Sequence, residues 1–593
     1  MQLKDAKTLA EFECSASFTQ HAKSYPAFLH LKANELTWTI RGTDITSRLP
    51  YSCVYGYEAP DLERLNASQH DLEDLVKNTL NDRLVTLHFI EFTTQDLKSV
   101  ASPQKSEVCF LFQDRKDVKR FLTLARELQV LPKPRRLLLI VNPNGGVGLA
   151  KKTSDTVIKP MMRLSGLTFK EQYTEYGKHA VDIAHKVDLD QVDALIVVSG
   201  DGVLHEVVNG LLTRPDWERA RRLPVGIIPA GSGNAFATSV GTKSPYVATL
   251  AAIRGTTAKL DIFSLSQLDR PRIYSMLLFS WGMMADADIE SDKYRWLGPL
   301  RFDIAGVIRA IRLRRYPGKV YVLPPKHKRE ISSSSSEHGH APVISYGDLL
   351  QPSVQEPPKP WRLLPSMPYY TMLLLLNCSH AGEKIFFTNT IRFNDGIMRL
   401  WYSCETRFWK IILPFMVDQT NGKLIHRGLM QDTECGGILI VPGVEGDPED
   451  PNSHEIKDPD SVTGQEAKRL DIHQAPGVFD VDGEVMPTAR LLIEILPSFM
   501  EILVPEWFHH EEDPLSLTDG RRKEEKESPE AVVARQKKEL VQEVARTRQA
   551  LENNVQSVVL LLLAMAAVVT AYAIFFSEPF QLWAGLAKRT LFK

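Results

Sequence analysis

Three glycine-rich turns, each closing an apolar strand, constrain this chain more than any other feature. They are Asn142-Pro-Asn-Gly-Gly-Val-Gly148 after "LLLIV", Ser199-Gly-Asp-Gly202 after "DALIVV", and Gly231-Ser-Gly-Asn234 after "PVGIIPA". Helical stretches lie between them. Ala180, Ile183, Ala184 and Val187 fall at i, i+3, i+4 and i+7, one face of a helix. "VLHEVVNGLL" reads as the next helix. Apolar strands alternating with helices imply a mainly parallel sheet covered on both faces. Ligands of such sheets bind outside the carboxyl ends of the strands. Glycine lets backbone approach a phosphate there, and the helix N-termini that follow aim amides at anions. The first turn lacks the Gly-Lys-Ser/Thr ending of a Walker A loop, and the other two lack a full GxGxxG. Asp201 sits between two glycines. On spacing alone it is as much a turn former as a catalyst.

The rest of the 593 residues is organised around this α/β segment, read as a three-layer nucleotide-binding domain over 136–257. Residues 1–130 carry short β-type runs, "ELTWTI", "RLVTLHFIEF" and "EVCFLF", before an amphipathic helix with Val118, Phe121, Leu122 and Leu128 on one face. That order resembles a pleckstrin-homology-like module in architecture only. From 258 to 508 the pattern is strand-rich and predicts an antiparallel β-sandwich. Two polar inserts, 326–360 and 445–468, read as disordered. A charged helical stalk over 509–554 leads to "VQSVVLLLLAMAAVVTAYAIFF" (555–576), 22 residues without a charge. As a helix this reaches roughly 33 Å at about 1.5 Å per residue, enough for a bilayer core of about 30 Å. The expectation is a C-terminal tail anchor in an endomembrane, the endoplasmic reticulum being one candidate, with the large N-terminal part on the cytoplasmic side. Six scattered cysteines without a CxxC pair fit a reducing compartment. The net charge of −2 offers no global field for nucleic acid. His338 and His340 sit in a serine-rich loop and read as solvated. His205 reads as a helix-face residue.

Five blocks, "LLLIVNPNGGVG", "VVSGDGVLHEVVNGLL", "IPAGSGNAFA", "ADADIESDKYRWLGPLRF" and "FDVDGE", occur in the order seen in the diacylglycerol-kinase-like lipid kinases. Together they resemble the sphingosine (long-chain base) kinases, over about 136–325 and 368–500. The resemblance implies transfer of the ATP γ-phosphate, with Mg2+, to the primary hydroxyl of a membrane-resident sphingoid base. Asp201 would be the base, and Ser199, Gly200, Gly202 and Asp288 would line the lipid. Asn142, Pro143, Asn144, Thr174, Glu175, Tyr176, Gly177, Lys178, Glu206, Gly231, Ser232 and Gly233 would line the nucleotide. Arg295, Arg301, Asp482, Gly483 and Glu484 would complete that set, with Mg2+ near Asp482 and Glu484. Phosphoryl transfer asks for an aligned oxygen nucleophile and screening of phosphate charge, which these residue types supply. A carboxylate at Asp288 facing an ammonium would select a sphingoid base over ceramide or diacylglycerol. Relatives often place a basic residue near the first turn. Here Asn144 and Val147 stand there, so phosphate clamping would lean on backbone amides, Lys178 and the two arginines. The alternatives are a ceramide or diacylglycerol kinase, a catalytically silent membrane-anchored lipid-binding protein, and a soluble kinase of the NAD type.

Overall fold

The computed structural model describes most of residues 9–508. Residues 60–82, 94–101, 326–344, 412–429 and 444–476 lie outside the described set. So do 19–20, 44–45, 146–147, 232, 298–299, 365–368, 383–384, 389, 408–409 and everything beyond 508. The stalk at 509–554, the run at 555–576 and the insert at 445–468 therefore fall outside it. Among the described residues no helix is long and apolar enough to cross a membrane.

The N-terminal module is a seven-stranded antiparallel sheet. Its strands are β1 (Ala10–Phe18), β2 (His21–Leu31), β3 (Glu35–Ile40), β4 (Thr46–Pro50), β5 (Val54–Glu58), β6 (Leu84–Thr93) and β7 (Ser102–Phe112), in the order β4-β3-β2-β1-β7-β6-β5. Helix α1 (Arg115–Glu127) closes it, and the Asp114 carboxylate caps that helix by accepting from the Asp117 amide. Val118, Phe121, Leu122 and Ala125 are its buried stripe, and Leu128 packs partly buried beside them. The module is fixed to the next domain. A Cβ on Gly56 of β5 would stand 2.7 Å from the Leu164 side chain, and Tyr55 and Ile90 share one core with Met161 and Met162.

The α/β domain follows the expected alternation. Strand β8 (Arg136–Val141) leads to a helix formed by α2 (Ala150–Thr153), a π turn at Ser154–Ile158 and α3 (Lys159–Leu164). Then come β9 (Thr168–Tyr173), α4 (His179–Lys186), β10 (Ala194–Ser199) and α5 (Asp201–Leu212). Next are α6 (Trp217–Ala220), β11 (Val225–Pro229), α7 (Ala235–Ser239) and α8 (Pro245–Arg254). All pairs in the run β9-β8-β10-β11 are parallel. All six residues of β10 are buried, as a strand covered by helices on both faces must be. Helices α4 and α5 pack so closely that a Cβ on Gly210 would stand 2.5 Å from the Val181 carbonyl oxygen.

The second domain is a sandwich with helices on one outer face. It begins with β12 (Thr257–Ser266), β13 (Ile273–Ser275), β14 (Leu278–Gly282), α9 (Met283–Ser291), α10 (Leu300–Ile311) and β15 (Gly318–Leu323). It continues through β16 (Arg362–Leu363), β17 (Met372–Leu376), β18 (Met398–Ser403), β19 (Gln431–Cys435) and β20 (Gly437–Pro442). It ends with β21 (Phe479–Val481), β22 (Glu484–Met486) and β23 (Leu491–Leu503). The sheet β19-β18-β17-β14-β21-β22 faces β15, β20, β12 and β23 across a core that includes Phe279, Trp281, Leu373, Leu375, Ile438 and Ile493. Alternate residues of β17, Met372, Leu374 and Leu376, point the other way and pack with Met283 and Ala310 of the helices.

The sheet continues across 257/258, because β23 pairs in parallel with β11 and antiparallel with β12 and β20. One ten-stranded sheet thus runs through both domains. The span 326–360 is not uniformly disordered. Residues 345–360 are mostly exposed but anchored, with Leu349 and Leu350 buried beside Trp361 against Tyr321, Leu439 and Leu492. The Arg490 guanidinium pins the segment by donating to the carbonyls of Leu349 and Val354, each at 2.6 Å. A serine- and proline-rich composition hid the few apolar anchors that decide the matter.

Candidate active site

The carboxyl ends of β9, β8, β10 and β11 lie side by side, and each opens into one of the loops read from the sequence. In the first turn the Asn142 side chain accepts from the Asn144 amide at 3.1 Å, an Asx turn. The Asn142 amide itself donates to the Val198 carbonyl at 3.2 Å. A Cβ on Gly145 would stand 3.0 Å from the Ser199 hydroxyl, so the first turn rests on the second. The second and third turns meet backbone to backbone. A Cβ on Gly231 would stand 2.5 Å from the Gly200 Cα, which no side chain tolerates. Asn234, at φ +51°, closes the third turn, accepting from the Gly231 amide and donating to its carbonyl at 3.0 and 3.1 Å.

Asp201 is the first residue of α5, and its carboxylate bridges to the N-terminus of α7. It accepts from the amides of Ala235 at 2.8 Å and Phe236 at 3.0 Å, one on each oxygen. This is a long-range tie and not a local turn. A carboxylate has about four acceptor positions, so further positions remain for a substrate proton. Burial pushes the Asp201 carboxyl above the usual range. The two amides pull it down, and the neighbouring Asp482 adds to the rise. A Cβ on Gly233 would stand 3.7 Å from Asp201 Oδ2, so the third turn runs directly beside this carboxylate.

The edge loop after β9 is tied in just as firmly. The Thr174 amide donates to the Val141 carbonyl at 2.9 Å. The Glu175 amide donates to His179 Nδ1 at 3.0 Å, and Lys178 turns the chain into α4 at φ +65°. Gly177 is exposed. Glu206 of α5 accepts from the Ala180 amide at 3.1 Å and so caps α4. Burial raises the Glu206 carboxyl, opposed by the amides of Ala180 and Lys178 and reinforced by Glu484.

Asp482 is the buried knot that joins the second domain to α5. Its carboxylate accepts from the Ser275 hydroxyl at 2.7 Å and from the amides of Met276, Leu277 and Leu278 at 3.1, 3.1 and 3.0 Å. His205 Nδ1 lies 2.9 Å from Oδ2, the oxygen that also takes the Met276 amide. Burial alone would raise this acid most strongly, but His205 and the donors outweigh it and hold the carboxyl below its usual range. Asn209 extends the tie. Its Nδ2 donates to the Tyr274 carbonyl at 2.8 Å and its Oδ1 accepts from the Tyr274 amide at 2.9 Å. The turn continues through Gly483, at φ +93°, to an exposed Glu484. A Cβ on Gly483 would lie 3.9 Å from Asp288 Oδ2, so Asp288 reaches this same turn from α9. Asp286 is committed elsewhere, to Arg314 and the Tyr316 hydroxyl, both at 2.7 Å. Burial pushes the Asp288 carboxyl up to about 6, with Arg301 opposing and Asp292 reinforcing.

The diacylglycerol kinase catalytic domain family matches residues 136–265. Sphingosine kinase 1 of Homo sapiens is 31% identical over 384 residues, covering 62% of this chain and 91% of the relative. Sphingosine kinase 1 of Arabidopsis thaliana is 42% identical over 394 residues, covering 64% of this chain and 75% of the relative. Sphingoid long chain base kinase 5 of Saccharomyces cerevisiae is 35% identical over 221 residues, covering 36% and 32%. The chain belongs to the sphingosine kinase family. It is an ATP-dependent lipid kinase.

The structure of the kinase brings Asn142, Pro143, Asn144, Thr174, Ser199, Gly200, Asp201, Gly202, Gly231 and Gly233 to one sheet edge. Ser232 lies outside the described residues. Arg301 donates to Asp292 at 2.6 Å from the first turn of α10. Arg295 falls in the Asp292–Leu297 turn, and its side chain is not among those described. Among the described residues no group of three or more His, Cys, Asp or Glu side chains is arranged to hold a metal. Asn209 is the residue the sequence reading missed, and His205, read there as a helix-face residue, is instead buried against Asp482.

Replacing His205 with Ala removes a donor from buried Asp482. The expected loss is about 1–3 kcal/mol of stability, read as a lowered urea midpoint. An unchanged midpoint would show that Asp482 is satisfied without His205.

Proposed function

We propose that Asp201 accepts the proton of the primary hydroxyl of a sphingoid base as that oxygen attacks the γ-phosphate of ATP. The kinase phosphorylates sphingoid bases to their 1-phosphates. What supports the assignment of the base is the placement of Asp201: held by two amides of α7, one on each oxygen, at the meeting point of the two glycine turns. A carboxylate so held is oriented before substrate arrives, and burial raises its basicity. The phosphates lie over the first and third turns, where backbone amides, Lys178 and the arginines 295 and 301 screen their charge.

Mg2+ usually keeps several waters and takes one or two carboxylates together with phosphate oxygens. Exposed Glu484 fits that demand. Asp482 does not, because five protein donors already occupy its oxygens. Bound with ATP, the cation would supply neutralisation of phosphate charge. Asp482 then serves the site by fixing the turn that carries Gly483 and Glu484.

Asp288 reads the lipid amine. It enters from the lipid domain and reaches the same turn. Its carboxyl, at about 6, is ionised at neutral pH and can pair with an ammonium that ceramide and diacylglycerol lack. The membrane brings the substrate. The uncharged run at 555–576 supplies an anchor, and α10 beside Asp288 exposes Ile304 and Ile311 on one face. The module at 1–130, the domains at 136–257 and 258–508, and the stalk at 509–554 are its functional parts in this reading.

Asp201→Asn is expected to lower kcat by about 10²–10⁴-fold in a protein that still unfolds near the wild-type temperature. Full activity in that variant removes Asp201 as the base. Because the Asp288 carboxylate neutralises as pH falls through about 6, KM for sphingosine should rise between pH 7 and 5. In Asp288→Asn it should start about tenfold higher, the lower end for a charge-assisted hydrogen bond, and lose that pH dependence. Equal slopes in both proteins would sink the amine contact. Ala566→Arg places a charge costing about 2.5–3.5 kcal/mol at the centre of the run. The variant should appear in the soluble fraction after carbonate extraction, and its retention in the pellet would refute the anchor.

A further inference from the structure

Asp480 is a buried acid that the phosphoryl transfer does not use. It is 2% exposed. The Gly483 amide donates to its Oδ1 and the Ser280 hydroxyl to its Oδ2, each at 2.9 Å. Asp482, two residues on, takes five donors. A carboxyl has about four acceptor positions, so part of the capacity of Asp480 is unfilled. Burying a polar group without its partners is costly.

The register of the sheet says where that capacity faces. Phe279 and Trp281 of β14, with Phe479 and Val481 of β21, point into the core between the two sheets. Ser280 and Asp480 alternate with them and so point to the opposite face. That face lies under α9 and α10. Asp288 reaches the same turn from α9. Directly opposed partners set Asp480, Ser280, Leu374 and Trp401 in one row across β21, β14, β17 and β18. Two polar side chains lead into two large apolar ones, the profile of a lipid head meeting its tail. The Trp401 indole N–H, at the far end of the row, is buried with no partner among the described residues. The protein therefore leaves hydrogen bonding incomplete at both ends of this row.

The two neighbouring acids differ in charge. Burial pushes the Asp480 carboxyl well above the usual range, and Asp288 adds to the rise against the pull of Ser280 and Gly483. Asp480 is then the neutral member, able to donate and to accept, and Asp288 the charged one. A charged acid suits an ammonium, and a neutral acid suits a hydroxyl. A sphingoid base carries its reacting hydroxyl on C1, its ammonium on C2 and another hydroxyl on C3. A 4-hydroxylated base has one more on C4, the last polar group before the alkyl chain.

We propose that Asp480, with Ser280, reads the C4 hydroxyl of a 4-hydroxylated sphingoid base and makes that base the favoured substrate. This rests on the reading above that Asp288 takes the ammonium. Asp288 spans the C2 amine and the vicinal C3 hydroxyl, and the next oxygen along the chain falls to the neighbouring acid. A site built to bond a hydroxyl disfavours the analogue that lacks it, because its own polar groups are then left unpaired.

The test uses the full-length kinase with sphinganine and 4-hydroxysphinganine, which differ by that hydroxyl alone. Wild type should show the higher kcat/KM for the 4-hydroxylated base. In Asp480→Ala the ratio of the two kcat/KM values should fall about tenfold, near the upper end for one neutral hydrogen bond. Ser280→Ala, a milder change, should move the ratio the same way. Asp480→Asn still offers a donor and an acceptor and should hold it. A merely structural acid would lower both substrates alike, so a wild-type ratio in both alanine variants overturns the proposal. A wild-type kinase that prefers sphinganine overturns it too. Asp288→Asn should weaken both bases together and leave the ratio as it was. If it weakens neither, the amine contact falls, and the ratio in the alanine variants still decides the part of Asp480.

Discussion

A carboxylate buried with five donors governs this architecture. Asp482 is wholly enclosed, and taking an acid out of water is costly unless its oxygens are paired. Here three successive amides of the 276–278 segment, one hydroxyl and one imidazole converge on it. The amides come from the strand entry of the second domain and the imidazole from the helix that begins with Asp201. The pairing can be complete only when the two domains are in register. The same turn then delivers Gly483 to Asp288 and Glu484 to solvent. The catalytic geometry is set less by the residues that would touch substrate than by this buried knot behind them.

Absent side chains do comparable work. Gly200 and Gly231 touch through their backbones, and Gly145 rests on Ser199. Three loops from three strands can gather around one small volume because none brings a Cβ to the contact. Asp201 then reaches amides more than thirty residues downstream, which rigidly couples the second turn to the third.

Local chemistry was legible in the sequence and long-range chemistry was not. Strand, glycine turn and helix follow from period and composition within a few residues, so β8, β10 and β11 and their loops could be read directly. The resemblance in motif order supplied the family. The partner of His205 lies 277 positions away, and no spacing rule points from one to the other. Asp482 and Glu484 look alike in a DGE triplet, yet positive φ at Asp482 and Gly483 turns one inward and leaves the other outside. The segment around Leu349, Leu350 and Trp361 was masked by its serine and proline neighbours. Strand pairing was equally hidden, because an apolar run such as "RLLIEILPSFMEILVP" carries no label for which sheet it joins.

That run, β23, makes the sheet depend on the order of synthesis. Strand β11 leaves the ribosome with one edge covered by β10 and the other open. Its second neighbour is the last strand of the second domain, translated on the order of tens of seconds later at about 5–20 residues per second. During that interval the nascent α/β domain presents an unpaired edge of the kind that recruits other chains. The chain is therefore expected to lean on chaperones while it is being made, and cutting it at 257/258 would part β11 from β23.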